Sequence, residues 1–456
     1  MRLRPGGTSP AWAAALGPRR GRPAVPLALA RAVALLRKRR GLQAVLHTLA
    51  ANLLIQGINV GTGVLTARVL LAQGRGELAA IILWPQFLAY LLTLGTPVSL
   101  VYQIKRHPEM QGALTAAALL VGLVMGLAAT LVGVIGIPIW LHQYPAADVR
   151  QAQVLMALAP ISLVSVILLA ASQAREAFAI YNFVRYLPPM LILLALALLA
   201  VGGRLTVATA AWSYMLAGLP VFAWNLWWVW RHLRPTLNGA RDALHGLVQY
   251  GLRAWGSDLL GMIGGQLDRL LVVGLLAPAD MGLYVVAQSL ARLLSFVPNA
   301  VVPVLLPKAA GRTAQHALRT VRRAAVVTLV GTLAVAVPLL AGGGVLLRVV
   351  YGREFAEATA VFRLLVLEAV LSGVASVLSQ AFLALGRPGT VTLLQGLALA
   401  TVAPLLLVLV PWLGLIGAGA ALLVSMTIRL LVVALLYVRL AQQHGTMPIA
   451  GARLQT

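Results

Sequence analysis

The sequence contains no cysteine. That excludes disulfides, thiol catalysis and cysteine-ligated metals, and it leaves the redox compartment open. Acidic residues are scarce, with 11 Asp+Glu against 36 Lys+Arg and a net charge of +25. Only 10% of the 456 residues are charged and 60% are hydrophobic. A soluble domain carries about 25% charged residues, so this chain is too apolar for a soluble fold and far too apolar for a disordered one. Catalytic signatures are missing as well. There is no HExxH, GxSxG or Walker A pattern and no DDxxD-type carboxylate cluster, and the seven histidines fall mostly in loops. The expectation is a protein that is not an enzyme, with no catalytic residue, metal or cofactor.

What the chain has is apolar length. Runs of about 20 residues, enough to cross a bilayer as a helix, fall at 45–67, 78–101, 113–140, 151–172, 186–203, 205–230, 254–277, 281–305, 324–347, 360–385, 389–410 and 414–438. The charge-free stretch 388–428 is too long for one helix, and Pro411, Gly414 and Gly417 divide it. The expected fold is therefore an all-α polytopic membrane protein with about 12 transmembrane helices.

The placement of charge sets the orientation. With a cytoplasmic N-terminus, 26 of the 36 Lys+Arg fall on the cytoplasmic side, seven on the outer side, and Arg269, Arg292 and Arg429 within spans. This is the positive-inside bias. It explains the basic excess and argues against a nucleic-acid partner. The apolar patch 11–17 is too short and too closely followed by arginine for a signal peptide. Residues 1–40 are expected as a basic cytoplasmic tail, with 27–40 either a basic amphipathic helix on the inner surface or a disordered extension. The chain is expected in the cytoplasmic (inner) membrane with both termini inside.

A weak internal repeat accompanies the span count. LLAQGRGELAAI (70–81) has a counterpart in LLAPADMGLYVVA (275–287). The LLA triplets are 205 apart, and the later Pro-Val pairs, at Pro97 and Pro303, are 206 apart. Twelve spans then split into two bundles of six with the same orientation, a transporter arrangement. The expected division is a tail at 1–40, a six-helix bundle at 41–230, a cytoplasmic linker at 231–253 marked by Pro235, Asn238 and Gly239, a second six-helix bundle at 254–440 and a tail at 441–456.

Polar residues inside spans fall on single helical faces. Span 1 carries Asn52, Gln56 and Asn59; span 2 carries Gln86, Tyr90 and Thr93; span 8 carries Gln288, Arg292, Ser295 and Asn299; span 10 carries Glu368, Ser372 and Ser379. Such stripes either join helices by hydrogen bonds or line a wet cavity. The charges Asp258, Asp268, Arg269, Arg292, Glu368 and Arg429 all belong to the C-terminal half. A charge at mid-helix costs about 2.5–3.5 kcal/mol on insertion scales. Asp268 and Arg269 are neighbours that point about 100° apart on a helix and do not pair with each other. Arg292 has no acid one turn away, so it needs Asp268, Asp258, Glu368 or an anionic ligand. Arginine offers a fork that fits phosphate, and the carboxylates offer proton or cation sites; interhelical ion pairs are the plainer alternative. Arg68 and Arg353 near the outer ends also fit simple interfacial anchors. The GxxxG-like runs Gly57–Gly61 and Gly122–Gly126 fit ordinary helix packing, and the tryptophans Trp140, Trp212, Trp224, Trp227, Trp228 and Trp230 fit interfacial belts.

Four segments together resemble a known family. They are ARVLLAQGRGELAA (67–80), AFAIYNFVRYLPPMLILLALALL (177–199), QLDRLLVVGLLAPADMGLYVVA (266–287), and the pair LALGRPGTVTLLQG (383–396) and PWLGLIGAGAALLVS (411–425). In order and spacing they are similar to the O-antigen type polysaccharide flippases of the multidrug/oligosaccharidyl-lipid/polysaccharide (MOP) exporter superfamily, over about 45–440. The resemblance implies two six-helix bundles around a central cationic cavity that opens alternately to each side. It also implies a lipid-linked oligosaccharide substrate, carried on undecaprenyl diphosphate, that moves from the inner to the outer leaflet for surface polysaccharide biosynthesis. The cavity arginines would be Arg269 and Arg292 with Arg68 nearby, and the partners would be membrane lipids and the polysaccharide polymerase and glycosyltransferases. Twelve spans rather than fourteen speak against a lipid II role. The lack of Asp or Glu in span 1 weakens a cation-coupled small-molecule exporter, the alternative. A polytopic glycan polymerase or ligase is a lesser one, because the longest outer loop, 348–359, is short.

Overall fold

In hydrocarbon no water satisfies backbone N–H and C=O groups, so apolar runs of this length form helices that satisfy their own. The structure, a computed structural model, describes residues 27–309 and 313–445, with only the backbone for 27–50, 257–265 and 306–309. Residues 1–26, the Asp258 side chain and the last residues of the C-terminal tail thus lie outside the described residues. Residues 27–50 belong to a unit separate from the rest, with a helical backbone from Leu27.

No strand occurs among the described residues. The helices are α1 (Leu27–Leu91), α2 (Thr96–Arg106), α3 (Gln111–Trp140), α4 (Ala146–Leu155), α5 (Ala159–Ala174), α6 (Phe178–Val201), α7 (Val207–Leu216) and α8 (Leu219–Leu233) in the first half. The second half has α9 (Ala240–Leu275), α10 (Pro278–Ala291), α11 (Phe296–Ala309), α12 (Ala314–Val350), α13 (Thr359–Ala384) and α14 (Pro388–Gln443). Among the described residues nine stretches are long and apolar enough to cross a membrane, and two of them, Ala51–Arg106 and Pro388–Gln443, are 56 residues long.

Both long stretches are broken, one at a glycine and one at a leucine. In α14 the break is at Gly414, with φ 56°, within the Pro411–Gly417 segment expected to divide it. In α1 the break is at Leu71, whose φ of 61° is costly for a residue with a Cβ. The Leu71 break takes the Ala72 N–H out of the helical ladder, and the Glu354 carboxylate accepts it at 3.2 Å.

Three apolar clusters organise the packing. One belongs to the N-terminal half, with Leu100, Leu163, Ile167 and Trp228. One belongs to the C-terminal half, with Leu318, Val377, Phe382 and Tyr437. The largest joins the halves, bringing Leu78, Ile81 and Trp84 together with Val273, Met281, Tyr284, Tyr351 and Phe355. The protein is thus a two-lobed helical bundle whose lobes share a core at one end and keep separate cores elsewhere.

The expected linker is shorter than 231–253. Only 234–239 lies outside helices, and α9 begins at Ala240 and packs on α2 and α3. Ala243 and Leu247 sit in the N-terminal core, and the Leu247 carbonyl accepts the Ser99 hydroxyl at 2.7 Å. The polar sequence of 240–253 hid this, because a helix that buries one narrow face still exposes charge on the other. Two expected belt residues are also structural. Trp140 stacks on Trp84 at 4.0 Å between centroids, and Trp228 is buried. Gly122 and Gly126 are packing glycines as expected: a Cβ on Gly126 would lie 2.4 Å from Pro160 Cα across the α3–α5 contact.

Candidate substrate cavity

A cavity of about 640 Å³ opens in the C-terminal half, walled by residues from Asp268 to Arg429. The polar stripe of span 8 lines it completely: Gln288, Arg292, Ser295 and Asn299 all face the space. They do so although the helix does not run straight through. A 3-10 turn at Arg292–Ser295 joins α10 to α11 and keeps the four side chains on one wall. From α13 come Glu368 and Ser372, and from α14 come Ser425 and Arg429.

The floor is a hydrogen-bonded network. Asp268 is buried, and its Oδ2 accepts the Tyr284 hydroxyl at 2.9 Å and the Gln288 amide N–H. The Gln288 carbonyl oxygen in turn accepts Arg269 Nε. Asp268 and Arg269, which cannot pair directly, are therefore bridged through one glutamine on the facing helix. Both ends of that amide are used, which fixes its orientation and leaves the carboxylate well solvated by the protein.

The remaining cations are unpaired. Among the described residues the ion pairs are Lys105–Glu176 and His107–Glu109, both outside the cavity. Arg292 is exposed to the cavity, and no described carboxylate lies within 4 Å of it. Arg429 Nε is buried with no hydrogen-bond partner. A guanidinium nitrogen buried without a partner carries a desolvation cost, and its place on a cavity wall suits an anionic visitor. Hydroxyls and amides around it supply both donors and acceptors.

Not every expected site residue gathers here. Asn52, Gln56 and Asn59 are exposed on α1 and do not line this cavity; Asn52 accepts Arg185 Nη2 at 2.9 Å. Arg68 is elsewhere too, with Nε 2.7 Å from the Val350 carbonyl at the end of α12. In span 10, Ser379 turns away and donates to the Ala375 carbonyl, while Ser376 and Gln380 face the space. They follow Glu368 and Ser372 at intervals of four, a signal present in the sequence but passed over. Gln395, also on the wall, is a single amide in an apolar run and gave no pattern.

Lobes that share a core at one end, with a polar cavity among the helices long and apolar enough to cross a membrane, define a polytopic membrane protein. The sequence profile of the family described as polysaccharide biosynthesis protein matches residues 42–311, over half of the chain, and the chain belongs to that family. No curated protein matches it. Among solved structures it is similar to the lipid II flippase MurJ in an inward closed conformation, at 14% identity and TM-score 0.71, covering 87% of this chain and 90% of that one. An inward-facing multidrug resistance MATE family transporter of the MOP superfamily matches at 16% identity and TM-score 0.68, covering 84% of this chain and 95% of that one. A MOP superfamily transporter from Pyrococcus furiosus matches at 14% identity and TM-score 0.53, covering 88% and 95%. The fold is that of these transporters.

Proposed function

We propose that the protein is a flippase that moves a lipid-linked oligosaccharide from the inner to the outer leaflet by alternating access. The observation that carries this reading is the pair of guanidiniums, Arg292 and Arg429, without a salt-bridged carboxylate, on a cavity wall that also carries amides, hydroxyls, apolar side chains and the carboxylates Asp268 and Glu368. A glycan diphosphate needs both parts: a planar fork for phosphate and neutral hydrogen-bonding groups in place of water. The head group would cross inside the protein while the lipid tail stays in the bilayer. Arg269, one bond removed behind Gln288, holds the wall in place and adds positive potential. Asp268, Glu368 and Asp258 are the proposed coupling or ion-pair groups, and Arg68, Asn52, Gln56 and Asn59 are proposed to meet the substrate in other states of the cycle. We place the chain in the cytoplasmic membrane with both termini inside, divided into an N-terminal and a C-terminal bundle joined at 234–239 and working beside the polymerase and glycosyltransferases of surface polysaccharide synthesis.

The second reading is a cation-coupled small-molecule exporter. It is favoured by Asp268 and Glu368 facing the same space and by the similarity in fold to MATE transporters. Depletion in the native cell separates the two. Lipid-linked oligosaccharides are extracted after labelling intact cells with a membrane-impermeant sugar-modifying probe. Accumulation of complete, shielded units supports the flippase. Units that reach the outside but stay unpolymerised point to an enzyme, and unchanged lipid-linked sugars favour the exporter.

A further inference from the structure

The end where the two lobes share a core has a symmetry that local sequence does not explain. Among the contacts that cross there between the N-terminal and C-terminal halves, four come in two pairs. At Gly76 a Cβ would lie 1.7 Å from the Pro278 carbonyl oxygen; at Gly282 it would lie 1.9 Å from the Ala72 carbonyl oxygen. Gly76 and Gly282 are 206 residues apart, and so are Ala72 and Pro278. The second pair is made by side chains. Arg68 donates through Nε and Nη2 to the Val350 and Val349 carbonyls at the end of α12. Gln143 donates through Nε2 to the Gly274 carbonyl, one residue before α9 ends, at 3.0 Å. Arg68 and Gly274 are again 206 apart, and so are Gln143 and Val349.

Each of these four contacts is therefore the image of another with the halves exchanged, while the Ala72 N–H to Glu354 bond stands outside the pairing. This is the isologous rule of a two-fold interface, residue i against j and j against i, written within one chain. The offset equals that of the Pro97 and Pro303 pair, so the weak sequence repeat and the contacts describe one relation. The side-chain pair also uses one physical device twice. A donor caps the unsatisfied carbonyls at the C-terminus of a helix in the other half, and the Arg68 charge adds a favourable term against that helix end.

This interface is not built as a permanent weld. Arg75, next to Gly76, is only 8% exposed, and its Nε and Nη1 have no partner. The Trp84 indole N–H and the Tyr144 and Tyr351 hydroxyls, in the same joined core, are also unsatisfied. Buried polar groups are normally hydrogen-bonded; leaving two nitrogens of the Arg75 guanidinium buried without partners favours separation. Tight backbone contact and helix capping favour closure, while the stranded polar groups favour opening. Opposed terms of that kind leave two states near in free energy.

We infer that Gly76 and Gly282 form the paired backbone contact of a gate between the two halves, with Arg68 and Gln143 as its two latches. The inference rests on the alternating-access reading for its role in transport, but the gate itself does not depend on the cargo. Bulk at either glycine holds the gate ajar. Carbon and oxygen approach to about 3.3 Å, so a Cβ 1.7 Å from an oxygen makes the two backbones part by about 1.5 Å. Loss of either latch loosens closure without adding bulk.

The native chain has no cysteine, so one introduced thiol reports cleanly. Ala72→Cys places it at a position only 8% exposed when the gate is shut. The purified full chain in nanodiscs is labelled with a bulky hydrophilic maleimide. In this background Gly76→Ala and Gly282→Ala should each raise the labelling rate at least tenfold. Gly342→Ala, where an added Cβ meets nothing within 4 Å, should leave it unchanged. The double variant Arg68→Ala/Gln143→Ala should raise the rate severalfold, and it decides the matter where a glycine variant does not fold. Labelling at the parent rate in the folded glycine variants, or in the double variant, overturns the gate. A gate that responds as expected, in cells whose lipid-linked sugars do not change on depletion, leaves the gate standing and overturns the proposed cargo instead.

Discussion

Replacing Gln288 with leucine tests the cavity floor with little change in volume. The substitution removes the donor to Asp268 and the acceptor for Arg269 together. Hydrogen bonds to charged groups are worth about 1.5–3 kcal/mol each in soluble proteins, which sets an upper bound of about 3–6 kcal/mol for the pair. Two features lower it. Asp268 keeps the Tyr284 hydroxyl at 2.9 Å, and interhelical hydrogen bonds in membranes average about 0.6 kcal/mol with a maximum near 1.7. The expected loss is therefore about 1–3 kcal/mol. It is measured as a shift in reversible SDS unfolding followed by intrinsic tryptophan fluorescence, with export measured in parallel. Export should fall further than stability, because Arg269 loses the partner that holds it behind the wall. A loss below about 0.5 kcal/mol with normal export would refute the reasoning, since the bridge would then contribute neither stability nor position.

Arg292→Ala and Arg269→Ala should each abolish export while the protein remains in the membrane at normal levels; normal export in both would show the cavity to be wrongly assigned. Gly126→Ala places a Cβ 2.4 Å from Pro160 Cα and should cost about 1–3 kcal/mol by overpacking the α3–α5 contact, read as a lowered thermal midpoint. Lys105→Gln breaks a surface ion pair whose side chains are 47% and 67% exposed; it should move the same midpoint little, by under about 1 kcal/mol.

The cavity-lining face that the sequence showed best was span 8. Four polar residues at helical spacing in an otherwise apolar run have few places to go, and the cavity wall is where they went. Span 10 shows where the same logic misleads. Ser379 satisfies itself on the Ala375 carbonyl of its own helix, as serine and threonine in helices often do, so a hydroxyl on the right stripe need not serve the site. Arg68 misleads differently. It sits where an interfacial anchor would sit, and it also carries the charge a substrate would want, yet it is spent on two carbonyls of the other half.

From the sequence alone came the membrane class, the all-helical fold, the break near Gly414 and the 206-residue offset that the contacts between the halves share. Each is a local or periodic property: lipid demands helices of a certain length that satisfy their own backbone, and a repeat shows as a fixed offset in the sequence. The tertiary structure decided what crosses between segments. That Gln288 bridges two neighbouring charges, that α9 begins by packing on the N-terminal half, and that two glycines 206 residues apart let backbones touch all depend on which helices approach and how closely. No residue type announces the distance to a partner two hundred positions away.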